Sequence, residues 1–423
     1  MTDIRTFGSV CSGIEAASFV LRPLHIRPLW LSENAPFPSG FLKMRYPEIP
    51  NLGDMNDVPQ LLKDEVIEAP DLLCGGTPCQ AFSLAGWKNG LEDHRGLLTM
   101  KYIDILNEMD CIRIRKGKGR ALFFWENVEG VLTDKTNAFG CFLSGLAGMD
   151  EPLEVHRWSS SGVLHGKIRN IAWRVMDAKY FGLPQQRRRI YVLGGGTDFY
   201  PENILFDTGE VVDDPYKDSG NLWFGQEMST SIPRELTRAI EGNDIEIFRT
   251  YTDCLYAAYG TKWNGNAAAF NGSLFVSQNG RLRRLTPIEC ERLMGFPDDY
   301  TNIEGASVTN RYRVTGNSWA VNVIRWIMRR LKNSDASVPV HQFGPGLTLF
   351  KDFVYIGDKG YLNATAYPYD FRLANLLDFI DVFPDEKLYI SKAGCSGILR
   401  RKFERKARMN GRLEAVLRIN SQL

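Results

Sequence analysis

Long apolar runs are missing from this chain. No stretch of about 18 uninterrupted apolar residues occurs, which argues against a membrane-spanning helix. The opening MTDIRTFGSVCSG lacks the apolar core of a secretory signal and enters a strand-like segment almost at once, so a cytoplasmic location is expected. Paired cysteines are missing too. The eight are Cys11, Cys74, Cys79, Cys111, Cys141, Cys254, Cys290 and Cys395, and no two form a CxxC. That pattern supports neither a zinc site nor a disulfide scaffold, and it suits a reducing compartment where thiols fill cores or do chemistry. Excess charge is also missing: the net charge of +1 does not announce a polyanion partner. Only local basic clusters point that way, at 113–120, 187–189, 281–284 and 400–412, and a cluster taken alone is usually a solvated face. Internal repeats and low-complexity tracts are absent.

What is present is alternation. Over 1–195 short apolar runs (Thr6–Val10, 28–32, 71–74, 121–125, 173–178, 190–193) alternate with helical patterns such as 14–21 and 98–109. Such alternation predicts βαβ units and a mainly parallel sheet covered on both faces, with ligands at the carboxyl ends of the strands. From 194 to about 280 Gly, Asn, Asp, Ser and Thr become frequent, which reads as a smaller, loop-rich domain. Helical pattern returns at Pro287–Met294 and 318–331. A polar stretch, 332–339, reads as a linker to a tail that ends in a basic helix over 396–419.

Four constellations carry chemistry. The first is the turn Val10-Cys11-Ser12-Gly13-Ile14-Glu15, where small residues between strand and helix let a ligand approach the backbone. Alone it is a tight turn. Glu33, twenty residues after Gly13, closes the second strand and could accept hydrogen bonds from ribose hydroxyls, and Asp54 closes the next segment. The three in this order point to a nucleoside cofactor. The second is Cys74-Gly75-Gly76-Thr77-Pro78-Cys79-Gln80-Ala81-Phe82-Ser83, a Gly/Pro loop after a strand rather than an apolar face, which favours a reactive over a buried Cys79. The third is Phe123-Phe124-Trp125-Glu126-Asn127-Val128, whose carboxyl, held beside aromatic rings, should have its pKa raised and be able to donate to a heterocycle nitrogen. The fourth is Gln185-Gln186-Arg187-Arg188-Arg189, where strand geometry sends Arg187 and Arg189 to one face; they serve either structural ion pairs or a site holding a thiolate and a base edge.

Taken together, these residues resemble the cytosine-5 DNA methyltransferase family over about 6–330. The matching segments keep the family's order: Ser12-Gly13, Glu33, Asp54, Pro78-Cys79-Gln80, Arg95-Gly96, Glu126-Asn127-Val128 and Gln185-x-Arg187-x-Arg189. They continue with Arg284-Leu285-Thr286-Pro287-x-Glu289-Cys290, Met294-Gly295-Phe296-Pro297 and Gly316-Asn317-Ser318. The resemblance implies Cys79 as nucleophile, Glu126 as the acid at cytosine N3, and Arg187 and Arg189 around the base oxygen and the thiolate. It implies S-adenosylmethionine as methyl donor, held by Cys11, Gly13, Glu33, Asn34, Asp54, Met55, Pro78, Leu98, Asn317 and Ser318. DNA contacts fall to Gln80, Ser83, Cys254 and Leu255, with the target cytosine flipped out of the stack. Cys11 stands where the family usually carries Phe, and Asn34 where an aromatic is common.

The expected architecture is a Rossmann-like α/β methyltransferase domain (1–194 plus 305–337), a target-recognition domain (195–304) and a C-terminal accessory module (338–423). Double-stranded DNA is the expected partner of a monomeric enzyme, and a cognate restriction endonuclease a further one. Two other readings stay open: methylation of tRNA, which the extended 194–280 region and a missing Cys-Phe-Thr triplet disfavour, and an inactive DNA-binding homologue, which the intact Cys79, Glu126, Arg187 and Arg189 disfavour.

Overall fold

The computed structural model describes residues 4–78, 96–214, 234–262 and 268–422. They gather into two compact units, one of Met1–Asp177, Arg188–Val211 and Val323–Asp370, the other of Ala178–Arg187, Val212–Asn322 and Phe371–Leu423. The expected segments were 1–194 plus 305–337, 195–304 and 338–423, and the two units draw on all three of them. Among the described residues no helix is long and apolar enough to cross a membrane.

The first unit is built on an eight-stranded sheet. Its strands are β1 (Thr6–Val10), β2 (Arg27–Ser32), β3 (Leu72–Gly75), β4 (Leu122–Val128), β5 (Ser161–His165), β6 (Asn170–Asp177), β7 (Arg188–Gly195) and β13 (Gly346–Phe350), ordered β13-β5-β6-β7-β4-β3-β1-β2. The half from β2 to β4 is parallel. The half from β7 to β13 is antiparallel, where a mainly parallel sheet was expected. β3 and most of β4 read as unbroken apolar runs because both faces are covered: Leu72, Leu73, Phe123 and Phe124 are fully buried. Gly8 and Gly194 are glycines by necessity of space. A Cβ on Gly8 would lie 2.4 Å from the Trp30 ring, and one on Gly194 2.4 Å from Phe123.

Helices cover the sheet, among them α1 (Ala16–Leu21), α2 (Pro36–Arg45), α3 (Val58–Lys63), α4 (Gly96–Arg115) and α5 (Ala138–Ala147). Buried Asp110 of α4 accepts from the Ala121 amide at 2.7 Å, from Arg120 at 2.8 Å and from Arg169 at 2.7 Å, fixing the helix to the start of β4. The stretch 332–339, expected as a linker, is tied down within this unit. The Ala336 carbonyl accepts from the Tyr200 amide at 2.8 Å, and Asn203 Nδ2 donates to the carbonyls of Asp335 and Val338.

The second unit holds an antiparallel sheet, β12-β11-β10-β9, of β9 (Thr237–Ile240), β10 (Asn243–Ile247), β11 (Phe275–Gln278) and β12 (Arg281–Arg284). Helices α6 (Pro287–Met294) and α7 (Val308–Asn317) follow; α8 (Val321–Asn333) begins in this unit and continues into the first. The tail supplies α9 (Lys392–Glu404) and α10 (Gly411–Asn420), which pack Ile398, Leu413, Val416 and Leu417 against Phe248, Phe275 and Leu282. The single helix expected over 396–419 is thus two. Lys406 turns the chain at φ 48°, and Asn410 restarts it by accepting from the amides of Arg412 and Leu413. The break also separates Arg412 from the basic residues of α9, and Arg412 is paired with Glu246 at 2.6 Å. Phe403 is 83% exposed.

Candidate active site

In the first unit β1 turns into α1 beside the end of β2, with three residues at left-handed φ: Cys11 at 51°, Gly13 at 56° and Glu15 at 58°. Gly13 takes this conformation without strain, and its amide donates to Glu33 Oε2 at 2.9 Å. Glu33 Oε1 accepts from the Ala35 amide at 2.8 Å, and the Glu33 amide donates to Asn51 Oδ1 at 3.0 Å. Beside them Asn34 Nδ2 donates to Asp54 Oδ2 at 3.3 Å, and Cys11 Sγ lies 3.6 Å from Met55 Sδ. Six residues singled out separately in the sequence, Cys11, Gly13, Glu33, Asn34, Asp54 and Met55, therefore stand together at the carboxyl edge of the sheet. Burial, helped by the charges of Glu33 and Asp54, pushes the Cys11 thiol up to about 12, so it is a neutral, apolar sulfur. Burial likewise raises Cys74, Cys141, Cys290 and Cys395.

Beyond β3 the chain leads to Thr77 and Pro78; Cys79, Gln80 and Ser83 lie outside the described residues. Thr77 is anchored from three sides. Its hydroxyl accepts from Trp125 Nε1 at 3.0 Å and shares a 3.0 Å hydrogen bond with Thr99 of α4, while its carbonyl accepts from Asn127 Nδ2 at 3.0 Å. Leu98, next to Thr99, packs partly buried on the core below. Glu126 on β4 is buried, with Arg189 Nε of β7 at 3.3 Å from its Oε1. The carboxyl thus faces a cation and not aromatic rings alone. Arg188 points elsewhere and binds Glu129 through two hydrogen bonds of 2.7 and 2.8 Å.

Arg187 belongs to the second unit, where its buried guanidinium is a clamp on backbone. It donates to the carbonyls of Leu255 and Gly316 at 3.2 Å each, to Ser318 O at 2.7 Å and to Cys254 Sγ at 3.3 Å. Asn317, the last residue of α7, lies between two of these carbonyls. Gln185 accepts from the Leu255 amide at 3.0 Å and donates to Leu293 O at 2.9 Å. Leu255 is buried, so its side chain is held inside this unit. Arg187, Cys254, Leu255 and Ser318, which the sequence suggests for three different roles, are one hydrogen-bonded group. Glu15, Thr77 and Asn127 are not legible in the sequence as individual site residues. All three sit inside the marked segments, but their value lies in partners that sequence pattern does not reveal. Among the described residues no cluster of His, Cys, Asp and Glu could hold a metal.

A sheet whose parallel half ends in an acidic, sulfur-lined turn has the Rossmann-like fold of S-adenosylmethionine-dependent methyltransferases. The chain belongs to the C-5 cytosine-specific DNA methylase family, whose profile matches residues 5–333. It is similar to a DNA N-6-adenine-methyltransferase of Escherichia phage P1, 32% identical over 457 residues that cover 77% of this chain. The chain spans 61% of that relative's length. It is also similar to the type II methyltransferase M.HhaI of Haemophilus parahaemolyticus, 28% identical over 308 residues, 69% of this chain and 83% of the relative. Among solved structures, the Entamoeba histolytica methyltransferase EhMeth overlays with a TM-score of 0.48 at 17% identity, over 78% of this chain and 98% of its own.

Proposed function

We propose that the chain methylates C5 of a cytosine in a specific duplex DNA site, with Cys79 as nucleophile and Glu126 as the acid at N3. Cytosine C5 is a poor nucleophile. Addition of the Cys79 thiolate to C6, with N3 held and protonated by Glu126, makes C5 an enamine carbon. S-adenosylmethionine, when bound, supplies a sulfonium-linked methyl to that carbon. A base then removes the C5 proton and Cys79 is expelled. Arg189, 3.3 Å from Glu126, keeps the carboxyl oriented and offers a cation to the base oxygen. The base must leave the helical stack for any of this, and its unpairing costs a few kcal/mol.

The donor set around Glu33 fits the methyl donor. Each Glu33 oxygen accepts one backbone amide and keeps a second lone pair for a ribose hydroxyl. Asn34 and Asp54 form a polar edge for the exocyclic amine of adenine, and the neutral Cys11 and Met55 sulfurs offer a soft surface to its ring. The observation that carries the reading is Glu126 facing Arg189 at the end of β4, the neighbour of the strand that leads to Cys79.

The phage relative's name favours a second reading, methylation of adenine N6. An exocyclic amine can attack a methyl sulfonium directly, with no covalent help from a cysteine, so one variant separates the two. Duplex DNA treated with the protein and S-adenosylmethionine should yield 5-methylcytosine on nucleoside mass spectrometry, and Cys79→Ala should yield none. A duplex carrying 5-fluorocytosine should become covalently attached to the wild-type protein, because fluorine blocks the release step. N6-methyladenine made equally by Cys79→Ala would establish the second reading instead. tRNA offered in the same assay tests the RNA alternative.

A further inference from the structure

Three of the four basic clusters in this sequence are engaged with acids that lie outside the cluster itself. Arg113 pairs with Asp71 and Arg120 with Asp110; Arg188 binds Glu129; Arg281 and Arg283 bind Glu386 and Glu289. The fourth differs. Between 400 and 408 stand six basic residues and one acid, Glu404. Lys402 is committed to Glu414 at 2.9 Å, and Arg400 reaches Glu404 only at 3.6 Å, both of that pair being solvent-exposed. Arg405, Lys406 and Arg408 are exposed where α9 turns toward α10. The cations crowd one another: burial and the neighbouring charges of Arg400 and Arg405 hold the Arg401 guanidinium below its usual range. Phe403 lies in their midst, 83% exposed although the helix has an apolar face on which to bury a ring.

We infer that the tip of this helical hairpin, Arg400, Arg405, Lys406 and Arg408 around Phe403, is a second, sequence-independent binding surface for the backbone of duplex DNA. The chemistry of that partner matches the patch. Closely spaced phosphates relieve the crowding of like charges, and deoxyribose and base edges give the ring an apolar surface. This surface rests on the reading that the chain works on DNA, and it adds a place that reads no bases. Arg412 is no part of it, because Glu246 holds it.

Binding to a short duplex of A·T pairs only, followed by fluorescence anisotropy over a salt series, tests the assignment. Replacing Arg400, Arg405, Lys406 and Arg408 with Gln should make the slope of log affinity against log salt shallower, by about 0.9 for each phosphate no longer neutralised. Phe403→Ala should weaken binding severalfold at an unchanged slope, since the ring carries no charge. Arg412→Gln should leave the slope as it is. All the tip residues are exposed, and matching circular dichroism melts would show the variants folded. A wild-type slope in the fourfold variant overturns the proposal alone. Salt-sensitive binding to phosphatidylserine vesicles that disappears in that variant, with DNA binding intact, overturns it in favour of a lipid surface. Failure of the wild-type protein to bind any duplex overturns it together with the DNA reading itself.

Discussion

Glu15 shows how one side chain can replace a conformationally permissive residue and leave a signature in pH. At φ 58° and ψ 55° it holds a backbone conformation that costs an ordinary residue roughly 1–2 kcal/mol. Its carboxyl offsets that cost by accepting from Ser9 Oγ at 3.0 Å, and from the Ser18 amide and hydroxyl at 2.9 Å each. Burial pushes this carboxyl up to about 7 against those hydrogen bonds, from an ordinary value of 4.5. The charged or titratable neighbour facing it is the Cys74 thiol of β3, itself raised by burial and by Glu15. A carboxyl raised in the fold contributes its full stability below its unfolded pKa and loses that contribution as pH climbs to the folded value. Between about pH 4.5 and pH 7 the protein should therefore lose about 3 kcal/mol through this group, and little more above pH 7. Urea unfolding at several pH values should show Glu15→Gln with a flatter profile over that window. An unchanged profile would assign the pH dependence to another group. The same turn shapes Cys11 and Gly13, so the variant should raise the KM for S-adenosylmethionine more than it lowers kcat.

At the scale of elements, the sequence is legible wherever local pattern and tertiary burial agree. β1 and α6 begin and end where the apolar run Thr6–Val10 and the helical pattern Pro287–Met294 put them. β5 is not legible, because Ser161-Gly162-Val163-Leu164-His165 has little β propensity of its own; Gly162 is required by the Trp173 ring, 2.5 Å from where its Cβ would be. The carboxyl-edge residues are legible by type and order. The Arg187 clamp is not, since an arginine that serves carbonyls more than a hundred residues away looks in sequence like any other basic residue. Glu289 shows the same limit. Its sequence context gives the capping box, but the structure adds a buried pair with Arg283, at 2.8 and 3.0 Å, and a hydrogen bond from the Asp381 amide at 2.9 Å. Glu289→Ala would leave the Arg283 charge buried with a carboxylate gone, at a cost of about 3–5 kcal/mol. Thermal melts should show a drop of many degrees. A loss below about 1 kcal/mol would mean that solvent reaches the guanidinium after all. Asn410→Ala, which removes only the start signal of α10, should cost about 1 kcal/mol.

For the whole molecule, the tail matters through what it buries. Ile390, Cys395, Ile398, Leu413, Val416 and Leu417 all belong to the buried core of the second unit. At roughly 1.5–3 kcal/mol for each large side chain buried, their loss matches the entire stability of an ordinary domain. A chain ending at Asp370 should accordingly lose the second unit's fold. Limited proteolysis should cut it rapidly within 234–262 while 96–177 stays protected; equal protection of both regions would show the tail to be dispensable. The chain alternates between its units through six segments, and this has a consequence in time. The edge of the first sheet at β5 is covered only when β13 arrives, 185 residues after His165 at Phe350. A ribosome adding about 5–20 residues per second needs on the order of ten to forty seconds to deliver it. For that interval the nascent protein carries an open strand edge, a template for pairing with the wrong chain. Its yield in a cell should therefore depend on how well chaperones shield that edge while translation catches up.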